Sequence, residues 1–423
     1  MAELQGNLLV AQSGGPTSVI NASLSGVVQE AGKHMCIEEI YGGLNGVYGI
    51  LREELVDFNE ETNRVIDGLK CSPAAALGTC RYKIDFKNKP NQAQADMERL
   101  FQVFEAHNIR YFMYIGGNDS QDTSNKVHQL AHQKGYDIRV VGVPKTIDND
   151  LPHTDHTPGF GSVAKYVGTT VLEVATDISA MATDAGSCCV VEVMGRSAGW
   201  IAASSAIAKV YPDDPPHIVL IPEIPVDEQA LVNRVKDVVK DKGFCIVVVG
   251  EGVKNQDGEE IGADKSQLDS FGHPVLAGAG EKISQIIQGR LGLKTRSVKL
   301  GYAQRCAAHI ASKQDIDEAY TCGSEAVRAA VAGNSGFMVK IVRRSSEPYE
   351  WTTDLHPLLE IANEERLIPR EWMSEDGFTP NEVFMRYLRP LVVGEYPAPF
   401  EGGIPRYPKL AKHRVAKQLE PWK

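Results

Sequence analysis

The densest run of chemically capable side chains is VPKTIDNDLPHTDHTPGFGS, residues 143–162. An apolar strand ends there in Lys145, and Thr146, Asp148 and Asp150 follow within five residues. Closely spaced carboxylates beside a lysine suit general-base removal of a proton from a hydroxyl, with the cation stabilising the charge that moves. A solvated acidic loop is the bland alternative. Two more loops carry paired glycines just after apolar runs: SGGPTSVIN (13–21), with Gly14 and Gly15, and IGGNDSQDT (115–123), with Asn118, Asp119 and Ser120. Glycine lets backbone amides approach an anion, and a helix N-terminus adds partial positive charge. A tight turn explains the first loop equally well, and it is neither a Walker A motif nor a dinucleotide fingerprint. In the second, an N-cap accounts for one of the three polar residues, not for all of them.

Two features of the 143–162 stretch point elsewhere. GFGSVA (159–164) matches G-x-G-x-x-A but follows a polar loop rather than a strand, which argues against nicotinamide binding. His153, Asp155 and His156 suggest a metal triplet, yet no further ligand cluster supports it in sequence, and capping or loop hydrogen bonds explain them better. Positive charge comes from LGTCRYK (77–83) with Arg81 and Lys83, EVMGRSAG (192–199) with Arg196, and TRSVKLGYAQR (295–305) with Arg296 and Arg305. One arginine at a strand end is a surface charge; several beside glycine loops resemble a phosphate-handling surface.

The elements that must position these loops are legible as alternation. NLLVAQ (7–12), YFMYIGG (111–117), IRVVGV (138–143), CCVVEV (188–193), HIVLI (217–221), FCIVVV (244–249) and TRSVKLG (295–301) read as strands. Their nearly continuous apolar character fits parallel strands covered on both faces. Helical segments fall around 19–33, 92–107, 120–134, 162–182, 227–241 and 279–290. Such alternation predicts doubly wound parallel sheets, and the strand number favours two such domains. Ligands of these folds bind at the carboxyl ends of the strands, where the three polar loops lie. The region after about 345 is rich in Pro, Tyr and Trp and reads as a packed extension, at a subunit contact or over the active site.

Composition bounds the rest. The 423 residues suffice for two or three domains with a core that needs no disulfide or metal staple. Glycine, at 39 residues, exceeds the usual ~7%. The formal charge of −11 argues against nucleic acid or an anionic membrane as partner, though not against a small anion in a local cationic pocket. No run approaches a membrane span, and the N-terminus lacks the basic region of a signal peptide. Eight cysteines show no CxxC pair or zinc spacing, and several sit in apolar runs, so a cytoplasmic, reducing location is expected.

Taken together, these motifs resemble the phosphofructokinase family, and specifically its pyrophosphate-dependent branch. The resemblance runs in order over roughly residues 7–340: the N-terminal GG, LGT-x-R, IGG-x-x-S, P-x-TIDND, T-x-GFG, EVMGR, GEG and GY-x-QR. It implies a donor domain of 1–155 plus about 300–345, a sugar-phosphate domain of 156–299 and a C-terminal extension of 346–423. By matched position, Asp148 would be the general base acting on the sugar 1-hydroxyl. Thr146, Ile147 and Asp150 would position substrate and phosphoryl group. Arg81 would bridge donor and acceptor phosphates, while Gly14 and Gly15 cradle the donor. Met194, Gly195, Arg196, Glu251, Tyr302, Ala303, Gln304 and Arg305 would hold the sugar phosphate, and Arg296 would reach it from a neighbouring subunit. At least a homodimer is thereby implied.

Donor choice follows from two positions. Where the ATP-using branch has glycine and another small residue, this chain has Asp119 and Lys145. A carboxylate there sets like charges against a nucleotide phosphate, and the lysine can orient pyrophosphate instead. The expected reaction is reversible phosphate transfer between pyrophosphate and fructose 6-phosphate, as in glycolysis. An ATP-dependent phosphofructokinase, a silent sugar-phosphate-binding subunit and, more distantly, a nicotinamide dehydrogenase are the alternatives. Two positions depart from the family pattern. Asn118 stands where an aspartate commonly holds magnesium; its amide oxygen can ligate Mg²⁺ but adds no charge. Ser187 replaces an arginine that contacts the sugar phosphate from the adjacent subunit, which makes Arg386 and Arg389 candidate replacements.

Overall fold

The computed structural model describes residues 4–80, 82–182, 185–268, 274–276, 278–361, 364–396 and 398–422. Strands β1 (Gly6–Gln12), β2 (Ile37–Gly43), β3 (Leu55–Asp57), β4 (Ile109–Gly116) and β5 (Arg139–Pro144) belong to a first sheet. It is completed by a hairpin much later in the chain, β12 (Phe337–Ser346) and β13 (Tyr349–Pro357), to give the order β13-β12-β5-β4-β1-β2-β3. The interior pairs are parallel, and only the edge strands β3 and β13 run antiparallel. β6 (Ser187–Val193), β7 (Ile218–Leu220), β8 (Phe244–Gly250) and β11 (Lys294–Lys299) form a second, wholly parallel sheet in the order β11-β6-β8-β7. A small hairpin, β9 (Ala263–Leu268) and β10 (Pro274–Leu276), stands apart. The architecture is thus the doubly wound α/β pair that the alternation predicts. Among the described residues no helix is long and apolar enough to cross a membrane, and all eight cysteines are free thiols.

Helices α1 (Ile20–Ala31), α2 (Gly46–Leu51), α3 (Asn63–Gly68), α4 (Pro90–Ala106) and α5 (Asn118–Lys134) accompany the first sheet. α6 (Phe160–Ala180) leads into the second sheet, which carries α7 (Trp200–Ser204), α8 (Glu228–Lys242) and α9 (Ala279–Leu291). After α10 (Ala303–Cys306) the chain returns as α11 (Lys313–Val331), packed on α1. Their approach depends on glycine. A Cβ on Gly26 would sit 2.1 Å from the Tyr320 carbonyl, and one on Gly323 would sit 2.1 Å from that of Ser23. Any side chain at either position would push the helices apart.

The extension does not begin at 346, because β12 and β13 pair along their lengths and carry the first sheet to Pro357. Beyond it, Ile368, Met373, Phe384, Tyr387 and Leu391, partly from α12 (Glu382–Leu388), bury against Phe160, Trp200 and Ile201. Further on, Val415, Leu419 and Trp422 pack against the core beside the first sheet. The tail therefore packs against cores beside both sheets.

Candidate functional site

The loops after β1, β4 and β5 face those after β6 and β8 across one cleft of about 780 Å³. Strand ends of both sheets thus supply the lining, as open α/β sheets dictate. Of the sequence-predicted residues, the structure brings together Gly14, Gly15, Asn118, Asp119, Lys145, Thr146, Asp148, Asp150, Arg196 and Glu251. Arg81 lies outside the described residues, though its neighbours Cys80 and Tyr82 line the cleft.

Lys145 is buried and donates from Nζ to the Gly15 carbonyl, at 2.8 Å. That contact ties the end of β5 to the first glycine loop. Gly14 adopts φ +72°, which strains any other residue, and a Cβ there would crowd Nζ at 3.1 Å, so glycine suits the loop that receives the lysine. Burial brings the Lys145 ammonium down to about 8, partly opposed by Asp148 and Asp150. Burial, followed by the nearby charges of Asp150 and Glu251, pushes Asp148 up to about 7 against the pull of Lys145. Asp150 and Glu251 are likewise raised, chiefly by burial. A carboxylate in that range is matched to taking a proton near neutrality.

The Asp148 loop is held from behind. The Asp148 amide donates to Thr146 Oγ1 at 3.1 Å. Buried Asn149 donates to the Tyr387 hydroxyl at 2.8 Å and accepts from the Thr157 amide at 3.0 Å. Further along, His156 is clamped between Asp155 (2.8 Å) and Glu318 of α11 (2.6 Å), while Arg343 grips Asp155 and Tyr349 donates to Glu318 at 2.7 Å. These partners raise His156 to about 9 despite its burial and hold Asp155 far below the usual carboxylate range. The His153, Asp155, His156 triplet therefore splits: two members form a structural ion network, and His153 turns to another partner, His356. The GFG segment is likewise structural. Its Gly159 and Ser162 amides, which a phosphate would need, donate to the buried Asp315 carboxylate at 2.8 and 2.9 Å.

On the β4 side, Gly117 caps α5, whose first residues are Asn118 and Asp119. Asp119 pairs with Lys83 at 2.7 Å, so much of its charge is balanced. Asn118 Oδ1 is buried with no hydrogen-bond partner among the described residues. An orphaned amide oxygen at the cleft wall fits a ligand for a hard cation.

The sugar-side predictions fare less uniformly. Arg196 lies 3.5 Å from Glu260 and faces the cleft. Gln304 is buried; it accepts from the Met194 amide at 3.1 Å and donates to the Gly301 carbonyl at 2.9 Å, clamping two loops together rather than lining the cleft. Met194 and Gly195 stand behind Arg196 in the same loop, outside the lining. Arg305 stacks on exposed Tyr302 at 4.3 Å and stands near the donor loop, since a Cβ on Gly15 would lie 3.4 Å from it. Ala303 is exposed, and Ile147 packs its side chain into the core. Arg296 is exposed on the edge strand β11, paired to Cys189 and away from this chain's cleft. Ser187 is half-buried, with Oγ unpartnered among the described residues. Arg386 and Arg389 are exposed and outside the cleft, with Arg389 held by both Glu382 oxygens. Neither stands where it could take over within this chain.

Glu364 and Glu365, from the extension, line the cleft and were not anticipated; Glu365 also helps raise Asp148 and Asp150. Nothing in their local sequence marks them. Distant contacts bring them there: Ile368 and Met373 pack into the core, and the Arg366 amide donates to the Asp150 carbonyl at 2.8 Å.

Two doubly wound sheets around a cleft with glycine loops, lysine and clustered carboxylates define a phosphate-handling α/β protein. The Phosphofructokinase family model matches residues 7–330, and the chain belongs to that family. Over 421 residues it is 47% identical to a pyrophosphate--fructose 6-phosphate 1-phosphotransferase of Halomonas elongata, covering 99% of each chain. A relative of the same name from Methylococcus capsulatus is 44% identical, covering 98% of each. The crystal structure of a pyrophosphate-dependent phosphofructokinase from Marinobacter aquaeolei superimposes with a TM-score of 0.89 at 42% identity, over 98% of this chain and 99% of that one.

Proposed function

We propose that this chain transfers phosphate reversibly between pyrophosphate and the 1-hydroxyl of fructose 6-phosphate, giving fructose 1,6-bisphosphate and phosphate. The observation that carries the reading is the buried Lys145 beside Asp148, anchored to Gly15 at the floor of the cleft. Asp148 takes the hydroxyl proton as the sugar oxygen bonds to phosphorus. The P–O bond to the leaving phosphate breaks, and Lys145 stabilises the charge that shifts onto it. Amides of the Gly14–Gly15 loop and the N-terminus of α5 face the donor. Arg196 and Glu251 hold the sugar phosphate, with Arg81 between the two substrates. Gln304 positions the Met194–Arg196 loop, and Thr146 and Asp150 orient the reacting groups.

Mg²⁺ fits the orphaned Asn118 oxygen with the Asp119 carboxylate beside it. When bound it supplies neutralisation of the pyrophosphate oxygens. Pyrophosphate is favoured over ATP because Lys145 occupies space at the cleft floor that a small residue would leave open. The Lys83 pairing means Asp119 excludes a nucleotide more by bulk than by charge. In this reading Arg296, exposed on an edge strand, serves a neighbouring subunit, the working unit is at least a homodimer, and the enzyme acts in the cytoplasm; the exposure of Arg296 supports the subunit contact.

Asp148→Asn tests the reading, with fructose 1,6-bisphosphate formation as the assay. A loss in kcat of about 10²–10⁴ or more is expected at little change in KM. Near-normal turnover would overturn the assignment.

A further inference from the structure

We propose that His153, His356 and Glu360, with Glu364 as fourth donor, form a zinc site at the rim of the cleft. The four residues come from separate stretches: the loop after β5, the end of β13 and the segment that follows it. Donor atoms of His153, His356 and Glu360 all lie within 4.8 Å of one another. The two imidazoles stack at 4.1 Å with planes 16° apart. His356 Nε2 lies 2.9 Å from Glu360 Oε2, and Glu364 Oε2 lies 3.9 Å from His153 Nε2. The His356 contact is not directed as a hydrogen bond, so this buried nitrogen has no hydrogen-bond partner among the described residues. A buried imidazole nitrogen whose contact with a carboxylate is poorly directed, beside a second imidazole, is an arrangement a metal ion completes.

The donor set selects the metal. Two imidazoles with carboxylates suit Zn²⁺, whereas Mg²⁺ prefers oxygen alone. A tetrahedral zinc with bonds of about 2.0–2.1 Å needs its donors roughly 3.3 Å apart. The side chains of His153, Glu360 and Glu364 are 39%, 57% and 66% exposed, free to close that gap by rotamer change around the half-buried His356. Lys340, whose charge reaches His356, is engaged by Asp354 at 3.5 Å. The ion would join the loop that carries Asp148 and Asp150 to the segment that brings Glu364 and Glu365 to the cleft, and would draw Glu364 out of the lining.

The experiment is calorimetric titration of the metal-stripped full chain with Zn²⁺ alone, stoichiometry checked by elemental analysis. One zinc per chain is expected, weakened about tenfold or more in His153→Ala and in Glu360→Gln. Asp148→Asn, which alters the cleft instead, should bind as the parent does. His153 is the variant of choice because it is the more exposed of the two histidines, and circular dichroism verifies its fold. Absence of zinc binding would overturn the proposal. So would equal affinity in folded His153→Ala, or loss of the zinc in Asp148→Asn.

Discussion

Lys145→Met removes one charge from the cleft floor while keeping most of the side-chain volume. In the parent protein, Asp148 must be ionised to accept a proton and Lys145 must be protonated to stabilise the leaving charge. With their values near 7 and 8, kcat/KM falls on the acid side as Asp148 protonates below about 7, and on the alkaline side as Lys145 deprotonates above about 8. The profile is a narrow bell reporting the coupled pair in the free enzyme. Methionine removes the group responsible for the alkaline limb, so the fall above pH 8 should vanish. It also removes a nearby cation that holds Asp148 down, so the acid limb should move to higher pH. Loss of a preorganised charge aimed at the transition state costs about 10²–10³ in kcat, or ~3–4 kcal/mol. The lost bond to the Gly15 carbonyl adds about 1 kcal/mol of destabilisation of that loop. Initial rates of fructose 1,6-bisphosphate formation across pH 5.5–9.5, parent against variant, make the comparison. A variant that keeps its alkaline limb near pH 8, or whose acid limb stays put, would refute the pairing of Lys145 with Asp148.

Glu318→Gln should lower stability by about 3–5 kcal/mol, because it leaves buried His156 without its second carboxylate; urea unfolding at pH 7 reads it directly. Since His156 is raised to about 9 in the fold, its stabilising share is fully present below the unfolded value of about 6.5 and is lost as pH rises through about 9. The parent should therefore lose stability over that range more steeply than the variant, and parallel curves would argue against a charged His156. Arg386→Ala and Arg389→Ala should leave KM for fructose 6-phosphate unchanged, since both side chains are exposed away from the cleft. A several-fold rise in either would show that the missing cation at Ser187 is supplied from there.

Much of the site was legible because its loops are punctuated locally. Glycine pairs and clustered carboxylates follow long apolar runs, and those runs are the buried strands β1, β4, β5, β6 and β8. What escaped was set by distant contacts. β2, IEEIYGG, sits beside the edge strand β3 and sets two carboxylates, one exposed and one half-buried, between buried Ile37 and Ile40, which hides its continuity with the sheet. α11 carries Thr321, Cys322, Gly323 and Ser324 where a helix former is expected, because it needs small residues to meet α1. Nothing local marks its Asp315 and Glu318, yet they cap α6 and bind His156 from about 160 residues away. Gln304 looked like a ligand because it shares a motif with Arg305, but an amide can satisfy a loop as readily as a substrate.

Donor choice tests the central claim most directly. Initial rates on the purified chain, with fructose 6-phosphate saturating and Mg²⁺ present, should be compared for pyrophosphate and ATP at equal concentration. The buried Lys145 at the cleft floor predicts fast fructose 1,6-bisphosphate formation with pyrophosphate and a rate at least about 10²-fold lower with ATP. Comparable or faster transfer from ATP, or none from pyrophosphate, would contradict the account.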